Sequence, residues 1–88
     1  MKPLWWLSFI DPDRPKGDRF LGVCIVRADD MMEAINKAWT LGINPGGEVQ
    51  GVVAESIPDD CVNRLLGKAE ILERGLGQRV TGDPNANR

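Results

Sequence analysis

Two short runs, Leu4–Ile10 and Phe20–Arg27, are apolar on both of their alternating faces, and this limits the fold more than any other feature. In an extended chain, successive side chains point to opposite sides. Trp5, Leu7 and Phe9 then share one side, while Leu4, Trp6 and Ile10 share the other with Ser8. In the second run the same rule puts Phe20, Cys24 and Val26 opposite Leu21, Val23 and Ile25. Both runs are rich in aromatic and branched residues and too short for helices, so they read as strands. A sheet built from them needs cover on both faces: further helices, a second copy of the chain, or another protein.

Between them lies Asp11-Pro12-Asp13-Arg14-Pro15-Lys16-Gly17-Asp18-Arg19, whose prolines, glycine and six charges predict a solvated turn-rich loop. After the second strand, Asp30 and Glu33 stand at capping-box spacing, and Met31, Ala34, Ile35 and Ala38 repeat at helical spacing. Trp39 widens that stripe and is expected in the core. Gly42 sits where a left-handed residue would end the helix, with Ile43 packing back. Asn44-Pro45-Gly46-Gly47 is a turn, and Glu48–Glu55 reads as a third strand. Ser56, Pro58 and Asp59 predict a second helix that ends at Gly67, and Lys68–Arg74 a short third one.

The predicted fold is α+β, a ββαβαα domain with a three-stranded, mainly antiparallel sheet of order 2-1-3 packed by helices. The domain covers residues 1–76, and the Gly/Asn/Asp/Pro-rich residues 77–88 are expected to be a disordered tail. No internal repeat is present.

Most chemistry fails on inspection. The 88 residues contain no histidine, which removes His-activated nucleophiles and His metal ligands. Gly75-Leu76-Gly77-Gln78-Arg79-Val80 lacks the third glycine of a dinucleotide fingerprint and does not follow a strand. Asp11 and Asp13 have the spacing of a cation pair, but Arg14, Lys16 and Arg19 balance the loop's acids. No catalytic, cofactor or metal residue is assigned, and the chain is expected not to be an enzyme. A net charge of -2, with basic residues alternating with acids, disfavours nucleic acid, although three tryptophans could stack bases. The apolar run ending at Ile10 falls far short of a membrane span. Cys24 and Cys61 form no CxxC and read as reduced thiols, Cys61 the more exposed, in a cytoplasmic protein.

Chain direction brings the charged loop and the Asn44–Gly47 turn to one end of the sheet. Asp11, Asp13, Arg14, Lys16, Arg19, Asn44, Gly46 and Gly47 are therefore the candidate surface for a partner or ligand. The leading expectation is a non-catalytic interaction or accessory domain that acts with a protein partner or a second copy. The alternatives are a small-molecule or nucleotide binder using residues 11–19 and 44–47, and a single-stranded nucleic-acid binder.

At Trp5–Phe9, Asp11-Pro12, Arg14–Gly17, Phe20–Val23, Leu41–Val49 and Asn63–Leu66, the chain resembles a group of short bacterial and phage-type proteins. The likeness covers roughly residues 4–72 and implies a small cytoplasmic accessory domain without implying an activity.

Overall fold

The computed structural model describes residues 1–79. Strands β1 (Leu4–Ile10), β2 (Phe20–Arg27) and β3 (Glu48–Ala54) form where alternation placed them, with helix α1 (Met31–Thr40) between β2 and β3. The architecture is α+β, and the core sheet order is as expected, with β1 central between β2 and β3. A fourth strand, β4 (Leu65–Leu66), extends the sheet to β3-β1-β2-β4, antiparallel throughout. Helix α2 (Lys68–Glu73) follows β4, and a 3₁₀ turn spans Leu76–Arg79. Part of the expected 77–88 tail thus lies in that turn, and the remainder, 80–88, lies outside the described residues.

The local signals around α1 work as physics requires. Asp30 is extended, and its carboxylate accepts from Glu33 N–H at 2.8 Å. At the other end Gly42 has φ +74°, and Ile43 N–H donates back to the Ala38 carbonyl at 3.0 Å, satisfying an otherwise orphaned helix acceptor.

The expected second helix does not form. Residues 56–67 instead make a 3₁₀ turn at Asp59–Cys61 and then β4. Ser56 and Asn63 are both left-handed, with φ 58° and 64°, which breaks any helix through them. The competing demand comes from β2, whose outer backbone groups need partners. Asn63 N–H donates to Ile25 O at 2.8 Å, and Leu66 pairs with Val23. Satisfying that edge outweighs the capping signals.

The two sheet faces carry separate cores. On one, Leu7, Phe9, Cys24, Val26 and Ala28 pack under Ala34 and Ala38 of α1. On the other, Leu4, Trp6, Val23 and Ile25 pack under Ile57, Cys61, Leu66, Ile71 and Leu76. The chain after β3 is therefore the second cover. Trp6 is wholly buried there, and its indole N–H finds no acceptor. An orphaned donor costs about 1–3 kcal/mol, less than the ~3–5 kcal/mol lost when a buried tryptophan is truncated, so packing wins.

On the sheet and its second cover, Phe20, Leu21 and Cys61 lie elsewhere than the sequence pattern put them. Phe20 packs with the Trp6 cluster and Leu21 with the Leu7 cluster, the reverse of the expected faces. Phe9 pairs with Gly22 but Ile10 with Phe20, so Leu21 is an extra residue in the ladder. Such a bulge flips the facing of everything beyond it. Cys61 is fully buried rather than exposed, because the 3₁₀ turn presses it onto the Trp6 cluster. Cys24 lies on the opposite face, so the thiols are free and separated by the sheet. Burial pushes the Cys24 thiol up to about 12, and its S–H donates to Ile43 O at 3.0 Å.

An ion-pair clasp holds the second cover. Arg64 makes a forked pair with Glu70 at 3.1 and 2.6 Å, and Arg74 makes one with Asp60 at 2.7 and 3.0 Å. The Arg74 hydrogen bonds hold the Asp60 carboxyl below its usual range, and those of Arg64 do the same for Glu70. A lowered folded-state pKa stabilises above the unfolded value and is lost as pH falls through the folded one. The clasp should therefore stay intact above roughly pH 4.5 and loosen only well below it. A carboxyl-carbon NMR titration should give midpoints for Asp60 and Glu70 below ordinary values, and Arg74→Gln should return Asp60 towards normal. Ordinary midpoints in the native chain would show that the pairs do not persist in solution.

Candidate functional site

The structure does bring the two predicted segments together. Ile10, the last residue of β1, pairs with Phe20 on one side and Glu48 on the other. Asp11 N–H donates to Arg19 O at 2.8 Å, closing the loop, and Gly47 lies against the Ile10 carbonyl. The charged loop and the Asn44–Gly47 turn thus flank one end of the central strand.

Most of the candidate side chains are already engaged in building these segments. Asp11 Oδ1 accepts from Asp13 N–H at 2.9 Å, an Asx turn, and its other oxygen lies 3.5 Å from Arg14 Nε. Arg19 Nε donates to Arg14 O at 2.8 Å, and Asp18 N–H to Pro15 O at 2.9 Å. Asn44 Oδ1 accepts from Gly46 N–H at 2.8 Å, a second Asx turn. Asp13 and Lys16 are exposed. Gly46 has nothing near its missing Cβ, but a Cβ on Gly47 would meet Ile10 O at 2.1 Å. Gly46 is half-buried and Gly47 exposed, so the turn presents backbone at both. On Gly47, the Cβ direction is already filled by the neighbouring strand.

Among the described residues, no three His, Cys, Asp or Glu side chains lie close enough together to hold a metal ion. No helix among them is long and apolar enough to cross a membrane.

A second surface escaped the sequence reading. Trp39, expected in the core, is 58% exposed, and Met32 is 66% exposed. The reason is where α1 sits. It lies over β1 and β2, so its flank towards β3 overhangs. Met31 covers Gly51 of β3, as a Cβ there would meet Met31 Sδ at 2.9 Å. At 3.6 residues per turn, Ile35, Trp39 and Met32 follow Met31 in that order around the helix. Below them, Val49 is half-buried and Val53 is 44% exposed. Together they form an apolar shelf between the helix flank and β3, the edge strand of the sheet among the described residues. One signal could have found it: the apolar arc from Ala34 round to Met32 spans about 160°, wider than the roughly 100° stripe one sheet face needs.

Compared with known protein families, curated proteins and solved structures, the chain matches none of them.

Proposed function

We propose that the chain is a non-catalytic protein-interaction domain whose contact surface is the shelf formed by α1 and the edge of β3. The observation that carries this reading is the exposed pair Trp39 and Met32 beside a strand edge that pairs with no other strand among the described residues. Tryptophan and methionine are enriched at the centres of interfaces, where a large apolar body is buried against a partner. The absence of histidine and the internal engagement of Asp11, Arg14, Arg19 and Asn44 support a non-catalytic role. Two buried thiols suit a reducing compartment, and we place the domain in the cytoplasm on that ground.

A second reading rests on the convergence of residues 11–19 and 44–47 around Ile10. It is a small-molecule or nucleotide site in which exposed Lys16 and the turn backbone at Gly46 and Gly47 meet the ligand. Two parallel measurements separate the readings. Co-purification with the full chain and with Trp39→Ser should recover a polypeptide in stoichiometric yield only with the native residue. An NMR screen of nucleotides and common metabolites should leave residues 11–19 and 44–47 unshifted. Shifts confined to those segments, with no Trp39-dependent partner, overturn the interaction reading in favour of the second.

A further inference from the structure

The backbone of β3 says what kind of partner fits the shelf. Ala28 N–H donates to Pro3 O at 3.1 Å, which makes Pro3/Ala28 a hydrogen-bonded pair. In an antiparallel ladder such pairs alternate. Trp5, Leu7 and Phe9 therefore turn their backbone groups to β2, and Leu4, Trp6, Ser8 and Ile10 turn theirs to β3. Across that second ladder, Glu48, Gln50, Val52 and Ala54 face β1. The N–H and C=O groups of Val49, Gly51 and Val53 point away from the sheet, where no strand pairs with them among the described residues.

Natural sheets protect such an edge with charge, proline, a bulge or a very short strand. β3 has little of this: seven residues, regular register, no proline, and a single charge at its first residue, Glu48, whose backbone groups face β1. The opposite edge, by contrast, is closed with the two-residue β4.

Resting on the interaction reading above, we propose that the partner is a second copy of this chain, docked through antiparallel β3–β3 pairing about a two-fold axis at Gly51. Three features support a second copy. First, the strand is symmetric about its midpoint. Full overlap of Glu48–Ala54 sets Gly51 against Gly51 and Val49 against Val53 of the partner, so all three outward residues exchange hydrogen bonds. The glycine at the axis also leaves room for the Met31 side chains of both copies, which a larger residue would strike. Second, the charges permit it. Glu48 and Glu55 fall on opposite faces by alternation, and Glu48 stands across from Ala54, so no carboxylate opposes another. Third, the helices leave a gap of the right size. With strands about 4.8 Å apart, a helix over β1 and β2 lies roughly 10 Å from the axis, so the two helices are about 19 Å apart. Packed helices sit at 8–10 Å, leaving about 10 Å over the paired valines for Ile35, Trp39 and Met32 of both copies to fill. The product is one continuous eight-stranded sheet with both copies of α1 on one face.

The test uses the full chain. Sedimentation velocity over a concentration series should show a dimer, and hydrogen exchange should slow at the Val49, Gly51 and Val53 amides as dimer forms, by at least about tenfold. Val53→Lys, at an exposed position, should give a folded monomer in which those three amides exchange fast while Gln50 and Val52 stay protected. Mixing Val53→Lys with Val49→Glu should restore a dimer, because one lysine then opposes one glutamate across the ladder. If Val49→Glu does not fold, the exchange pattern of Val53→Lys alone decides. A native chain that stays monomeric at about 0.5 mM, or a dimer indifferent to Val53→Lys, overturns the proposal. A monomer with the three amides already protected also overturns it and points to an occupant within the chain. If instead the chain is a monomer with fast amides and still captures another polypeptide through Trp39, only the second-copy inference falls. Loss of both results removes the interaction reading too.

Discussion

A chain ending at Ile57 should not yield a soluble, cooperatively folded protein. Truncation there removes Cys61, Leu66, Ile71 and Leu76 from the face that holds Leu4, Trp6, Val23 and Ile25. Burying each of the three larger aliphatic side chains contributes about 1.5–3 kcal/mol, roughly 5–9 kcal/mol together. That is comparable with the whole stability of a typical small domain, about 5–15 kcal/mol, and this chain is at the small end. The loss also strips β4 from β2, leaving a second open edge next to an uncovered apolar face. Aggregation or a non-cooperative melt by circular dichroism is the expected result. A truncated chain with a native-like spectrum and a sharp transition would show that residues 58–76 do not serve as the second cover.

The second large effect lies at adjacent glycines. Gly46 and Gly47 have nearly the same backbone, φ +84° and +75°, so alanine incurs a similar left-handed penalty at both, about 1–2 kcal/mol. Their surroundings differ. Alanine at 46 meets nothing, whereas alanine at 47 would place Cβ 2.1 Å from the Ile10 carbonyl oxygen and 3.0 Å from its carbon. Those atoms are backbone in the central strand and cannot step aside, so the start of β3 must shift. Urea denaturation should show Gly46→Ala costing about 1–2 kcal/mol and Gly47→Ala about 3 kcal/mol or more. Equal losses would mean that the Ile10 contact is not made in solution. The pair also bears on the small-molecule reading, because a methyl at Gly46 projects into open space beside the exposed backbone of Gly47.

What the sequence made legible was what depends on neighbours a few residues apart. Asp30 with Glu33, and Gly42 with Ile43, identify both ends of α1 because capping is local. The alternation of β1 revealed two buried faces, and antiparallel pairing preference then placed β1 in the middle. The failures all involve distant partners. Leu21 is an extra residue only relative to Phe9 and Ile10 on the opposite strand, and Gly22 inside a strand was its sole trace. β4 exists because β2 has an edge to satisfy, which two leucines cannot announce. Trp39 belongs to the same apolar stripe as Ala34 and Ala38, but where the sheet stops beneath α1 is a tertiary fact. For the candidate site, chain direction was enough to bring residues 11–19 and 44–47 together. It could not tell that Asp11, Arg19 and Asn44 are occupied in holding their own loops.

The central position of β1 has a consequence for the order of synthesis. Its seven residues are made before β2 and β3, yet they sit between them and contribute Trp6 and Leu7 to opposite cores. The last described residue buried against Trp6's core is Leu76, 66 positions after Ile10. At about 5–20 residues per second, the Trp6 face waits roughly 3–13 s on the ribosome before its cover has been made. A β-hairpin closes in microseconds, so β1 and β2 have ample time to pair, but as a two-stranded ribbon that is marginal by itself. During that interval the face carrying Leu4 and Trp6 stays open, while the face carrying Phe9 is covered as soon as α1 has been made, so the topology closes the two cores one after the other.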